Sequence, residues 1–440
     1  MDYLGAATEV GNWLTATATR GADGWTWPVR PSVSPQADTG LYAGTAGPTL
    51  FFVEAYRTSG EDRWLEAARQ GARWMQAHLD EAAVGWAGCG LFTGVGGWAL
   101  VLDELARAAG DDQADALADR VLEVIMTAAA EDERGLQWHG LTEILWGTAG
   151  IGCLLLSVGS ERLGDRAIDA AIQAGTWLLA SAEQADPGIR WGFGPAYDGA
   201  FPSRAGERYP NFAHGTAGIA FFLARLAAVT GDGAFLDAAL AGMDWVLSTT
   251  RTNDETCAAF HHQPDGTDLY SLGWCHGPPG LAWTFRQLEL CTKDPSWRTW
   301  IRRAARADTT SGIPERRQPG FWDNAGRCCG SAGVAEFFLD LHRLERSDED
   351  LNFAQAMIDD ILERAIVDDT GMRWSNHEFR IAEPDLPPET TYMQGAAGIG
   401  ATLLRLHRHL AGDDWGVRWP HAPTWFPSEN NDTFTLVDRG

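Results

Sequence analysis

Three cysteines and a histidine stand beside two short glycine turns. Gly273-Trp274-Cys275-His276-Gly277-Pro278-Pro279-Gly280 carries Cys275 and His276, and Arg327-Cys328-Cys329-Gly330-Ser331-Ala332-Gly333 carries Cys328 and Cys329. In each stretch cysteine comes just ahead of a Gly-x-x-Gly turn, and the turn opens an apolar helical run. The same local geometry is presented twice, so the thiols are expected to converge. Thiolates bind zinc well, and three protein ligands with a fourth position open is the arrangement of a catalytic site, whereas structural sites are closed. None of these cysteines belongs to a C-x-x-C pair, so the spacing is not that of a zinc finger. The expectation is a zinc ion held by Cys275, Cys328 and Cys329 that activates a thiol. The alternative is that they are small buried residues at helix starts, as expected of Cys89 and Cys153.

Other residues could act at the same place. His214 precedes another Gly-x-x-Gly, at the position equivalent to Cys329, and His276 directly follows Cys275. A histidine there could donate a proton. Glu143 lies four residues before Gly147 and is the carboxylate best placed to reach the same region, although carboxylates are common in this chain. Asp323, near Cys328 in sequence, is a weaker candidate. The pair His261-His262 reads as a surface loop.

The elements that must position these residues are visible as a repeat. Gly-x-x-Gly followed by an apolar run recurs seven times, starting at Gly44, Gly94, Gly147, Gly215, Gly277, Gly330 and Gly395. The spacing of roughly 50 to 70 residues suits two helices and two loops per unit. Runs such as Ile219-Ala220-Phe221-Phe222-Leu223-Ala224 are apolar nearly all round and therefore buried. Between them lie amphipathic segments such as Trp64 to Met75, Phe235 to Leu247 and Phe353 to Ala365. Seven buried helices alternating with seven amphipathic ones describe an all-α fold, an α/α toroid, whose glycine turns line one mouth. An open solenoid is the alternative. No linker divides the chain, so residues 1–440 read as one domain. Two connections look elaborated with short extended pieces, Gly188 to Phe212 and Thr370 to Pro388. The tail from Trp415 to Gly440 is not helical and is expected to lie extended over the surface.

Composition narrows the function. The formal net charge is −26, from 34 Lys and Arg against 60 Asp and Glu. Phosphate binding needs a positive surface, so nucleic acid and anionic membranes are poor partners. Seven cysteines with an adjacent pair make a poor disulfide framework. Met1-Asp2-Tyr3-Leu4-Gly5 shows no signal peptide, and no apolar run is long enough to span a membrane, so a reducing cytoplasm is expected. There is no P-loop, no dinucleotide fingerprint and no Gly-x-Ser-x-Gly elbow.

Together, the seven turns, Asn211-Phe212-Ala213-His214-Gly215, Trp274-Cys275-His276-Gly277 and Cys328-Cys329-Gly330 resemble the lanthionine synthetase C-like family over most of the chain. The resemblance implies an α/α toroid with a central zinc ion. It also implies addition of a peptide cysteine thiol to dehydroalanine or dehydrobutyrine, giving a thioether ring. By motif, Cys275 and Cys328 match zinc cysteines, Cys329 stands where many members have histidine, and His214 matches a catalytic histidine. Glu143 stands where free-standing cyclases have aspartate, and Ser271 where they have arginine. The partners implied are a peptide or small-thiol substrate and a separate dehydratase or kinase/lyase that makes the electrophile. Other readings are addition of glutathione to dehydroamino acids, a peptide-binding scaffold without catalysis, an α/α-toroid glycoside hydrolase needing two acids and no metal, and a zinc-dependent prenyltransferase, for which the mouth motifs supply few basic residues.

Overall fold

Six of the seven inner helices hand over to an outer helix within three residues. In the computed structural model, Gly60, Gly110 and Gly231 end inner helices in the left-handed conformation, with φ of 72°, 60° and 73°. Only glycine adopts that conformation without a Cβ penalty. The next residue begins the outer helix. There the Asp111 and Asp232 carboxylates accept from the Ala114 and Ala234 N–H groups at 3.0 and 2.9 Å, filling donors that a helix start leaves unpaired. Lys293 and Arg346 take the same left-handed conformation at two further turns. The result is a set of antiparallel helical hairpins. The structure describes residues 2–84, 88–194, 207–252, 256–258, 260–261, 269–316, 324–376, 386–413 and 415–423.

The inner helices are Ala46–Ser59, Gly96–Ala109, Thr148–Leu154 (continuing through a π turn, Leu155–Gly159, into Ser160–Leu163), Thr216–Thr230, Pro278–Thr292, Ser331–Glu345 and Ala396–Leu410. The outer ones are Tyr3–Thr17, Asp62–Ala82, Asp112–Thr127, Asp165–Ala180, Gly233–Thr249, Ser296–Thr309 and Asp348–Glu363. Burial follows the sequence pattern. Every residue from Thr216 to Ala227 is buried, whereas Asp62–Ala82 buries one stripe running from Trp64 to Leu79. The seventh inner helix packs against the first, closing the ring. Its outer partner is the N-terminal helix Tyr3–Thr17, so the two ends of the chain complete one hairpin.

Six two-stranded antiparallel pairs occur among the described residues. The sequence pointed to extended pieces in two connections. Strands of two or three residues are too short to show an alternating pattern. Four of the pairs share one device. Trp27, Trp138, Trp191 and Trp374 follow their hairpins, are fully buried, and donate their indole N–H to the carbonyls of Leu14, Ile125, Leu178 and Ile361 at 2.9, 2.9, 2.7 and 2.7 Å. Each acceptor lies thirteen residues back, in the preceding outer helix. The tryptophans thus tie outer helix to hairpin.

The axis of the ring is polar and occupied. Glu54 accepts from Arg408 at 3.1 Å and from the Tyr392 hydroxyl at 2.8 Å. Glu336 pairs with Arg327 at 2.9 Å and with Arg405, which also reaches Asp340. The C-terminal segment 415–423 enters this space. Trp415 is sandwiched between the guanidinium groups of Arg57 and Arg408, 3.8 and 3.9 Å from its ring. Arg225 donates to the Pro420 carbonyl, and His421 is buried among Phe92, Trp274, Trp283 and Trp419. The described part of the tail is non-helical, and at Pro420, His421 and Pro423 it is buried, not spread over the surface. Its aromatic rings and buried guanidinium partners draw it inward, and burial with the nearby Arg327 and Arg225 holds the His421 imidazole pKa well below its usual value. Residues 424–440 lie outside the described ones. No described helix is long and apolar enough to cross a membrane.

The Gly-x-x-Gly turns demand close approach. A Cβ on Gly218 would lie 2.1 Å from the Phe212 carbonyl oxygen and 2.6 Å from Ile144. Glycine to alanine inside a helix ordinarily stabilises by about 1 kcal/mol. Gly218→Ala is expected to reverse that sign and lower the melting temperature; a raised melting temperature by calorimetry would contradict the packing described.

Candidate active site

Main-chain hydrogen bonds join the seven turns to one another. The residue two before each Gly-x-x-Gly bonds to its equivalent in the neighbouring repeat. Ala213 donates to Cys275 (3.0 Å), Cys275 to Cys328 (3.2 Å), Cys328 to Met393 (2.8 Å), Met393 to Tyr42 (3.1 Å), Tyr42 to Phe92 (2.7 Å) and Phe92 to Leu145 (2.9 Å). One more link, from Leu145 to Ala213, would complete the circle. Instead the Leu145 N–H goes to Glu143 Oε2 at 2.9 Å, and the Trp146 N–H goes to Glu143 Oε1 at 2.6 Å. A buried carboxylate replaces one carbonyl of the ring.

That carboxylate reaches His214. Glu143 Oε2 lies 2.9 Å from His214 Nδ1. Because Glu143 already accepts from two main-chain N–H groups, it faces the imidazole as an acceptor, so Nδ1 carries the hydrogen and Nε2 is left to gain or lose a proton. The imidazole stacks on Trp146, with centroids 4.7 Å apart and planes at 29°. Phe193 and Tyr209 lie 5.8 and 6.5 Å away. The His276 ring lies 5.5 Å from that of His214 and 6.0 Å from that of Tyr209.

The sulfurs of Cys275, Cys328 and Cys329 all lie within 4.8 Å of one another. Cys275 Sγ and Cys329 Sγ are 3.5 Å apart. A tetrahedral site with Zn–S bonds of about 2.3 Å has sulfurs about 3.8 Å apart, so these positions suit a thiophilic metal ion. Their electrostatics suit one too. Hydrogen bonding to Cys275 and Cys329, together with burial, pushes the Cys328 thiol well above its ordinary pKa. Three thiolates packed this closely need a cation. The remaining thiols behave differently. Burial alone raises Cys89 to about 11, and burial outweighs a distant arginine to raise Cys153 to about 12, as befits inert core residues.

Two residues that sequence reasoning passed over complete the cluster. Gln394 Nε2 lies 3.3 Å from Cys329 Sγ and 3.0 Å from the Tyr42 hydroxyl. Tyr42 stands in the repeat at the register of Cys275 and Cys328, and Gln394 at that of Cys329, His276 and His214. Aligning the seven turns position by position would have found both. Glu143, His214, His276 and the three cysteines are brought to one end of the ring. Asp323 and His262 lie outside the described residues, and of His261 only the backbone, in a short strand, is described.

The model of the family described as lanthionine synthetase C-like protein matches residues 35–414. The chain belongs to that family. Among solved structures, nisin cyclase is similar with a TM-score of 0.58 and 15% identity, over 93% of this chain and 94% of that one. An alpha-mannanase from Bacteroides thetaiotaomicron gives a TM-score of 0.51 at 12% identity, over 94% and 98%. An unsaturated glucuronyl hydrolase from Bacillus sp. GL1 gives 0.50 at 16% identity, over 92% and 96%. At these identities the structural likenesses establish the α/α toroid alone. No curated protein sequence matches the chain. Family membership rests on the chain's own sequence, and the likeness to sugar-cleaving enzymes does not extend that membership.

Glu143 satisfies two buried N–H groups and a histidine with two oxygens. An amide has one acceptor oxygen, so Glu143→Gln turns an N–H donor toward another donor. The expected cost is roughly 1–3 kcal/mol of stability, read as a lower urea midpoint. An unchanged midpoint would mean that the carboxylate does not close the ring of turns.

Proposed function

We propose that this lanthionine synthetase C-like protein is a zinc-dependent carbon–sulfur bond-forming enzyme. In this reading Cys275, Cys328 and Cys329 hold zinc, and the reaction adds a cysteine thiol to a dehydroamino acid to form a thioether. The observation that carries the reading is the cluster of three sulfurs within 4.8 Å of one another, at the same end of the ring as a histidine bonded to a buried carboxylate. Zinc bound by three thiolates supplies acidification of an incoming thiol while leaving its sulfur electron-rich.

The protein's own residues account for the proton. The thiol S–H bond breaks, an S–C bond forms at the alkene β-carbon, and the alkene electron pair moves to the α-carbon as an enolate. That carbon must gain a proton. His214, held by Glu143 in the Nδ1–H tautomer, uses Nε2 to take the thiol proton and return it to the α-carbon. His276 is the second imidazole within reach of the same space. Trp146, Phe193 and Tyr209 wall His214 with apolar surface, which strengthens the electrostatic effect of the Glu143 carboxylate. The substrate best matching this chemistry is a peptide bearing cysteine and dehydroalanine or dehydrobutyrine, supplied by a separate dehydratase or kinase/lyase.

Cys275→Ala is expected to lose bound zinc and thioether formation together, whereas His214→Asn keeps full zinc and loses about 10²–10⁴-fold in rate. Metal analysis alongside mass spectrometry of a dehydrated cysteine peptide separates the two. Full zinc in Cys275→Ala would overturn the ligand assignment. Zinc without any addition, to the peptide or of glutathione to a dehydroamino acid, would mark a binding scaffold.

A further inference from the structure

A chain of hydrogen bonds with a fixed direction ends on Cys329. It begins at a main-chain N–H, whose polarity is not in question. Gly326 N–H donates to Asn324 Oδ1 at 2.7 Å. That fixes the Asn324 amide, so its Nδ2 faces outward and donates to Gln394 Oε1 at 3.1 Å. Gln394 is thereby fixed in turn. Its Nε2 points to Cys329 Sγ at 3.3 Å and to the Tyr42 hydroxyl at 3.0 Å. Neither amide can be flipped without setting oxygen against oxygen or N–H against N–H. The main chain of Gln394 is clamped as well, since Asn376 donates to its carbonyl and accepts from Ala325 N–H at 3.1 Å. Tyr42, taking a hydrogen from Gln394, keeps its own for donation.

We propose that Gln394, oriented by Asn324, is a positioning residue that donates an N–H hydrogen bond to the Cys329 thiolate and so holds that sulfur in place as a metal ligand. The inference rests on the reading of Cys275, Cys328 and Cys329 as the metal site. The physical need is clear. Three thiolates with one divalent cation leave a net negative charge in a buried setting, and a substrate thiolate adds another. Donors aimed at the sulfurs spread that charge, and groups that orient a ligand from behind typically account for 10–100-fold in metal affinity. Gln394 does not touch substrate in this account and acts only through Cys329.

The test uses cobalt(II), which binds the same ligands and reports sulfur ligation as a charge-transfer absorption. Gln394→Glu is nearly isosteric but presents only oxygens to Cys329. Asn324→Asp keeps the acceptor for Gly326 but presents oxygen to Gln394, forcing that amide to turn its own oxygen toward the sulfur, although Asn324 lies one residue removed from the cluster. Both variants are expected to bind cobalt 10–100-fold more weakly in chelator competition and to shift the charge-transfer band. The double variant should lose little more than either single one, because both break the same chain. Circular dichroism checks that the variants fold. Affinity and band within two-fold of the parent in both variants would overturn the inference. A parent protein that takes up neither cobalt nor zinc would instead overturn the metal site on which it rests.

Discussion

The structure depends on one constraint: seven turns must approach closely enough for their backbones to bond to one another. At six of the seven turns the N–H of the residue two before Gly-x-x-Gly finds the carbonyl of its neighbour, and this fixes the seven helix starts at one end of the toroid. Side chains at those positions have little choice of direction. Glycine is required because the turn folds back on its own chain; a Cβ on Gly398 would meet the Tyr392 carbonyl oxygen at 1.6 Å. Packing of the inner helices follows from that ring, and the outer helices, tied in by the buried tryptophans, follow from the inner ones.

The ring also explains where chemistry can sit. Its positions are chemically interchangeable, so what each repeat places there sets the local character. Cys275 and Cys328 occupy two of them and, with Cys329 one residue on, bring three sulfurs within 4.8 Å of one another. Between the third and fourth turns the ring is cut, and Glu143 takes the place of a carbonyl. The carboxylate satisfies the same N–H and also reaches His214. The interior below the mouth is filled by paired charges and by the chain's own C-terminal segment, with His421 set beneath Trp274 and Phe92.

Most of this was legible in the sequence because the fold repeats. Seven Gly-x-x-Gly turns, each followed by an all-apolar run, give the number of hairpins and the burial of the inner helices. The repeat register puts Cys275, Cys328, Cys329, His214 and His276 at one end. Three features were not legible, each for a physical reason. Strands of two or three residues carry too little pattern. The inward path of residues 415–423 depends on guanidinium and aromatic partners hundreds of residues away, such as Arg57 around Trp415. The link from Asn324 through Gln394 to Cys329 depends on amide orientation, which only the geometry of Gly326 fixes.

The central claim is that three cysteines from two turns hold one zinc ion with a position left for substrate sulfur. X-ray absorption at the zinc edge of the purified protein tests it most directly. The account predicts about one zinc per chain with a shell dominated by sulfur at about 2.3 Å, gaining one sulfur when a cysteine peptide is added. A shell of nitrogen and oxygen alone, or four sulfurs already present without peptide, would contradict it.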